Sequence, residues 1–126
     1  MTAESGRLVD AWINRYEIIE QKGDEAPEAK ALFWSYMEVD ELCGEDPDRA
    51  LHLITNILAS TQNEYVLANL AAGPLETLLT RHGKKLIGKV EYLAKADPRF
   101  QHLLQNVWQN RIDDQTWGRV LRAAKG

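Results

Sequence analysis

Apolar residues recur every three or four positions along most of this chain, which is the spacing of one face of an α-helix. Residues 7–21 show the pattern first, and the polar run that begins at Gly23 ends it. Pro27 can begin a second helix, because the first helical position needs no backbone N–H, and Gly44 is the predicted end. The two apolar faces consist of Leu8, Trp12, Tyr16 and Ile19, and of Leu32, Tyr36, Val39 and Cys43.

The dipeptides Asp46-Pro47 and Asp97-Pro98 are typical of helix starts. In each, a carboxylate can cap the free N–H groups of the first turn, and proline takes the first helical position. Apolar faces follow over residues 50–58 and from Phe100 to Trp108. Asp113 or Asp114 is expected to cap a last helix, whose apolar face is Trp117, Val120, Leu121 and Ala124.

The segment between these starts is predicted to contain two or three helical pieces. One begins near Glu64 and is broken or kinked at Gly73-Pro74, because proline has no N–H to donate to the preceding turn. The helix that follows is expected to end at Gly83, and another spans residues 84–96.

Alternating β-branched runs and hairpin turn signals are missing from the sequence, so we predict an all-α fold. About seven short helices joined by tight loops would pack antiparallel in a single domain over residues 1–126. Two architectures stay open. The two Asp-Pro starts, about fifty residues apart, suit a HEAT-like helical repeat, and an irregular orthogonal bundle fits equally well.

The cysteine content and the lengths of the apolar runs indicate the cellular compartment in which this protein is expected. Cys43 is the only cysteine, so we expect no intramolecular disulfide and treat Cys43 as a small core residue. The N-terminus lacks the pattern of a signal peptide, and no apolar run is long enough to span a membrane, so we expect a cytoplasmic protein without membrane contact.

The net charge of −4 conceals a strong asymmetry. Residues 1–76 carry a net charge of −10 and residues 77–126 carry +6. Opposite charges across an interface speed association and exclude wrong partners. We therefore expect the acidic half to bind another protein, one that is basic. The candidate residues are Glu38, Asp40, Glu41, Glu45 and Asp48.

The alternative surface is basic and lies over residues 81–99. It would make the protein an adaptor for nucleic acid or for an acidic protein. Nucleic acid is the less expected of the two, because residues 1–76 would repel it. The residues of this basic face are Arg81, Lys84, Lys85, Lys89 and Lys95.

A third hypothesis is an enzyme centred on Glu76 and His82, which share an apolar segment with Gly73 and Pro74. Six residues correspond to a rotation of about 240° on a helix, so the two side chains do not share a face. We therefore expect Gly73 and Pro74 to form a structural kink, Glu76 to act as a first-turn acid, and the protein not to be an enzyme. Its three histidines are scattered, so neither a metal nor another cofactor is expected.

Several short segments resemble a bacterial family of small all-helical domains of unknown function. They are Ala71-Ala72-Gly73-Pro74-Leu75-Glu76, Leu78-Leu79, His82-Gly83, Asp97-Pro98-Arg99-Phe100 and Val107-Trp108. The resemblance covers residues 50–122 and implies a helical fold but no activity. The function expected from the sequence is therefore protein binding, with an immunity or inhibitor protein as one form. Trp34 is expected to be buried rather than to form an interface, although its helix is apolar on almost every side.

Overall fold

The computed structural model describes residues 3–126, and that part of the chain is helical with no β-strand, which confirms the predicted all-α fold. The elements are α1 (Ala3–Lys22), α2 (Pro27–Ala31), α3 (Phe33–Glu45), α4 (Pro47–Ser60), α5 (Glu64–Leu70), a π-helical turn (Ala71–Leu75), α6 (Glu76–Ala96), α7 (Pro98–Leu104) and α8 (Asp114–Lys125). No helix among these residues is both long and apolar enough to cross a membrane.

The predicted aspartate caps are confirmed. The carboxylate of Asp46 accepts a hydrogen bond from the backbone N–H of Arg49 at 3.3 Å, and that of Asp97 from Arg99 at 2.9 Å. Asp113, not Asp114, caps α8 by accepting from the N–H of Thr116 at 2.9 Å. A side-chain acceptor at this position satisfies an N–H group that has no partner within the helix.

Two predicted boundaries are wrong. The helix expected from Pro27 to Gly44 is divided at Leu32, whose backbone (φ −103°, ψ 6°) is the link between α2 and α3. The helix expected to reach Trp108 ends at Leu104, because the next amides bond three residues back, as Val107 does to the carbonyl of Leu104 at 3.2 Å. This tightening turns the chain toward α8 and leaves Trp108 73% exposed.

The predicted apolar faces of α3 and α8 are only partly buried. Val39 and Cys43 of α3 lie in the core as expected, whereas Tyr36 is 39% exposed. In α8, Val120 is buried and Leu121 is 45% exposed.

The irregularity predicted at Gly73-Pro74 is confirmed, although it is not a break in the helix. Residues 71–75 form a π-helical turn that joins α5 to α6 without interruption. In a π-turn each N–H bonds to the carbonyl five residues back, so the helical register can widen around a residue that has no N–H. The first turn of α6 is therefore not a free helix end.

The helix end predicted at Gly83 corresponds to a kink one residue earlier. The backbone of His82 is non-helical (φ −135°, ψ 24°) and joins two helical pieces, both of which are included in α6. A Cβ at position 83 would lie 2.8 Å from Cγ2 of Thr116 in α8. The glycine therefore allows α6 and α8 to approach closely, which no local pattern in the sequence indicates.

The helices form an irregular bundle rather than a HEAT-like repeat. α6 packs against α3, α4, α7 and α8, and α1 packs against α3, α4 and α5. In a repeat protein each unit would contact only its neighbours. The buried side chains form one core around Trp12, Ile54, Leu78 and Phe100.

Cys43 is confirmed as a core residue, since it is fully buried. Its thiol donates a weak hydrogen bond to the carbonyl of Pro74, with Sγ and O 3.6 Å apart. Burial raises the pKa of the Cys43 thiol to about 12, so the thiol stays protonated and unreactive at neutral pH.

Candidate acidic groove on helix α3

One face of α3 carries a tryptophan followed by three glutamates. Trp34, Glu38, Glu41 and Glu45 are spaced four, three and four residues apart, which places them in a single stripe along the helix. At 1.5 Å per residue the stripe is about 16 Å long. The three glutamates are exposed and Trp34 is half-buried.

This stripe forms one wall of a groove of about 440 Å³, which we call the acidic groove. Arg7 and Leu8 of α1 and Arg49 of α4 also line it, and Leu42 lies beside the stripe on α3. The groove exists because α1 and α4 both pack against α3.

Within the described part of the chain, no ion pair neutralises the three carboxylates of the groove. Among the side chains that the structure describes, residues 6–126, neither a lysine nor an arginine forms a salt bridge with Glu38, Glu41 or Glu45. Arg7 instead lies over the Trp34 ring, with its Cζ 5.2 Å from the ring centroid. The carboxylates are thus available to a cation from outside.

Asp40 and Asp48, the other two acidic candidates, do not line the groove. Asp40 Oδ1 is 3.5 Å from Nη2 of Arg81, which also donates through Nη1 to the Asp40 carbonyl at 3.2 Å. Asp48 accepts a hydrogen bond from Lys89, and this bond lowers the pKa of the Asp48 carboxyl. The helical wheel alone separates Asp40 from the groove, because it lies about 200° from Glu38.

The same contacts pair some residues of the candidate basic face with carboxylates and leave others unpaired among the described residues. Arg81 pairs with Asp40, while Lys89 and, at 4.0 Å, Lys85 pair with Asp48. Lys84 lies near Asp113, whose pKa is lowered mainly by the hydrogen bonds of Thr116 and to a smaller extent by this lysine. Lys95 forms no ion pair with a described residue. The opposite charges of the two halves of the sequence therefore partly face each other inside one molecule.

Glu76 and His82 have separate partners. The Glu76 carboxylate accepts a hydrogen bond from the side-chain amide of Asn110, in the loop between α7 and α8. His82 Nε2 donates to the carbonyl of Gly44 at 2.9 Å. Gly44 lies in the last turn of α3, where carbonyls lack partners within the helix, so His82 serves as a cap for α3.

Glu76 lies in the first turn of α6, as expected, but its backbone N–H already bonds to carbonyls of the preceding π-helical turn. Gly73 and Pro74 line a cavity of only about 30 Å³, which is too small for more than about two water molecules. Ala71, Pro74 and Leu75 of this segment are buried. Within the described residues, no group of three or more His, Cys, Asp or Glu side chains is arranged to hold a metal ion.

A further surface on α3 was not predicted from the sequence. Phe33, Tyr36 and Met37 are 45%, 39% and 55% exposed, and we call them the apolar patch. The Phe33 and Tyr36 rings stack with centroids 5.4 Å apart, and the Arg15 guanidinium lies 5.3 Å from each. The near-continuous apolar character of α3 is the sequence signal for this surface, and the same signal also fits a helix that is buried on every side.

The fold defines a small all-helical domain with an acidic groove. The chain belongs to a family of unknown function, DUF6869, whose model matches residues 22–126. This agrees with the resemblance to small helical domains of unknown function and extends over more of the chain. The match includes the glutamates of the groove but not Arg7 or Leu8. No curated protein and no solved structure matches the chain.

Proposed function

We propose that this protein is a non-catalytic binding protein whose acidic groove takes a basic segment of another protein. The observation that carries the proposal is the alignment of Glu38, Glu41 and Glu45 in one groove, without an ion pair to any described residue. Three like charges on one stripe repel each other, and a basic partner would relieve that repulsion. The same charges would accelerate its association.

The apolar patch supports a protein as the partner. Tyrosine, tryptophan, phenylalanine and methionine are enriched in the centres of protein interfaces. Phe33 and Met37 lie on the solvent side of α3 next to the stripe, so a protein covering the groove would also cover them. A free metal ion or small cation would not use this apolar area.

The narrower form of the proposal is a bacterial, cytoplasmic immunity or inhibitor protein that binds a basic toxin enzyme. A small acidic chain suits this role, because it can cover a basic active surface by charge complementarity.

The two alternatives have less support. An adaptor that uses the basic face would have to compete with Asp40 and Asp48 for Arg81, Lys85 and Lys89. An enzyme centred on Glu76 and His82 would require these side chains to leave Asn110 and Gly44 and to meet each other.

The proposal is tested by cross-linking followed by charge neutralisation. A photoreactive amino acid placed at position 41, in the groove, should capture a basic protein in the native cells. The same amino acid at position 122, exposed on α8, serves as the control and should not capture it. The captured protein is then purified and its association rate is measured.

Two sets of carboxylate-to-amide substitutions test whether the charges of the acidic groove control the association rate. Replacing Glu38, Glu41 and Glu45 by Gln should slow association about tenfold or more and flatten its salt dependence. Replacing Asp40 and Asp48 by Asn should have little effect, because their charges are already paired. Equal effects of the two sets, or a larger effect of the second, would contradict the proposal.

A further inference from the structure

We infer that the acidic groove binds an arginine side chain of its partner, stacked on Trp34 in the position that Arg7 occupies in the unbound chain. This inference rests on the proposed function and specifies the chemistry of the same groove. It follows from a feature that the charge pattern alone does not show: the groove already holds a guanidinium from its own chain.

The Arg7 guanidinium lies where an incoming cation can displace it from the Trp34 ring. Its Cζ is 5.2 Å from the centroid of Trp34, and the side chain is exposed. With the part of the chain that the structure describes, Arg7 forms neither a salt bridge nor a side-chain hydrogen bond, and its guanidinium stacks on the Trp34 ring. An exposed stacking contact of this kind is weak, and an incoming cation can displace it.

Trp34 is a suitable platform because its position is fixed. The ring packs partly against the hydrophobic core and is only half-buried, so one part is anchored while another faces the groove. Little side-chain entropy is lost when a ligand stacks on a ring that is already held in place.

The neighbouring carboxylates favour arginine over lysine. Glu38 and Glu41 lie one and two turns beyond Trp34 on the same stripe. A planar guanidinium can stack on the indole and donate two parallel hydrogen bonds to a carboxylate at the same time, whereas a lysine ammonium acts as a point charge. The arrangement therefore distinguishes between the two basic side chains.

The test uses fluorescent hexa-arginine and hexa-lysine peptides, with binding measured by anisotropy at low ionic strength. The wild-type protein should bind hexa-arginine more tightly. Replacing Trp34 by Leu should remove roughly two- to fivefold of that preference, which corresponds to an exposed cation–π contact. Arg7→Ala should tighten hexa-arginine binding, because it frees the ring.

Arg49→Ala is the matched control, since it removes the same charge from the groove and, among the described contacts, Arg7 rather than Arg49 lies over the Trp34 ring. The inference is overturned if Arg7→Ala gains no more affinity for hexa-arginine than Arg49→Ala does. It is also overturned if folded Trp34→Leu keeps the full preference for arginine. If both peptides bind but either of these two results is obtained, only the placement of the partner's arginine on Trp34 is wrong. If neither peptide binds, the proposed function fails as well.

Discussion

Replacing Gly83 by alanine tests the packing of α6 against α8. The added Cβ would lie 2.8 Å from Cγ2 of Thr116, whereas carbon atoms in good contact are about 3.5–4.0 Å apart. Thr116 cannot easily move away, because it is 2% exposed and its hydroxyl donates to Asp113 Oδ2 at 2.7 Å. The substitution must therefore separate the two helices or break the α8 cap.

The expected size of the effect follows from two opposing contributions. Overpacking a core contact costs about 1–3 kcal/mol. Alanine in place of glycine within a helix recovers about 1 kcal/mol. We therefore expect Gly83→Ala to lower the free energy of unfolding by up to about 2 kcal/mol.

Gly88→Ala is the matched control. Gly88 lies in the same helix, and a Cβ there would meet nothing within 4 Å. This change should raise the free energy of unfolding by about 0.5–1 kcal/mol, through helix propensity alone. Urea unfolding followed by far-ultraviolet circular dichroism measures both variants.

A double variant identifies the atom responsible. Thr116→Ser keeps the hydroxyl and removes Cγ2, so Gly83→Ala should cost much less when serine is present at position 116. If Gly83→Ala stabilises the protein as much as Gly88→Ala does, the proposed close approach of the helices is refuted. An unchanged cost in the serine background would show that Cγ2 is not the obstacle.

Three further predictions follow from buried or capping groups. Leu78→Ala should lower the free energy of unfolding by about 2–5 kcal/mol in urea titrations, because Leu78 is fully buried; a loss below 1 kcal/mol would contradict its place in the core. Hydrogen bonds from Thr116 lower the pKa of the Asp113 carboxyl below its ordinary value of 3.8. The stability that Asp113 contributes should therefore be present above pH 3.8 and be lost as the pH falls further. Asp113→Asn should weaken this loss of stability in acid, and an unchanged pH profile of the variant would refute the prediction. Cys43 should resist thiol reagents at neutral pH and react only as fast as the protein opens, since burial raises its pKa to about 12; immediate labelling of the folded protein would contradict this.

The sequence was sufficient for features that depend on neighbouring residues. The caps at Asp46 and Asp97 are local, because the acceptor and donor lie within three residues of each other. The burial of Cys43 follows from the helical period. These predictions are confirmed because a helix start or an apolar face involves only one segment of the chain.

Features that depend on distant segments were missed. Asp48 and Lys89 are 41 positions apart, and only the packing of α4 against α6 brings them together. The sequence therefore placed these residues on separate acidic and basic surfaces. His82 likewise bonds to a carbonyl 38 positions away, and no local pattern identifies such a partner.

The location of the binding groove is tested most directly by nuclear magnetic resonance, with the labelled protein titrated with unlabelled hexa-arginine. If hexa-arginine binds in the acidic groove, chemical-shift changes should concentrate on the indole N–H of Trp34 and on the amides of Glu38, Glu41 and Glu45. Asp40 and Asp48, whose charges are paired, should change little. Changes centred on those two residues, or spread evenly over all exposed carboxylates, would contradict the account.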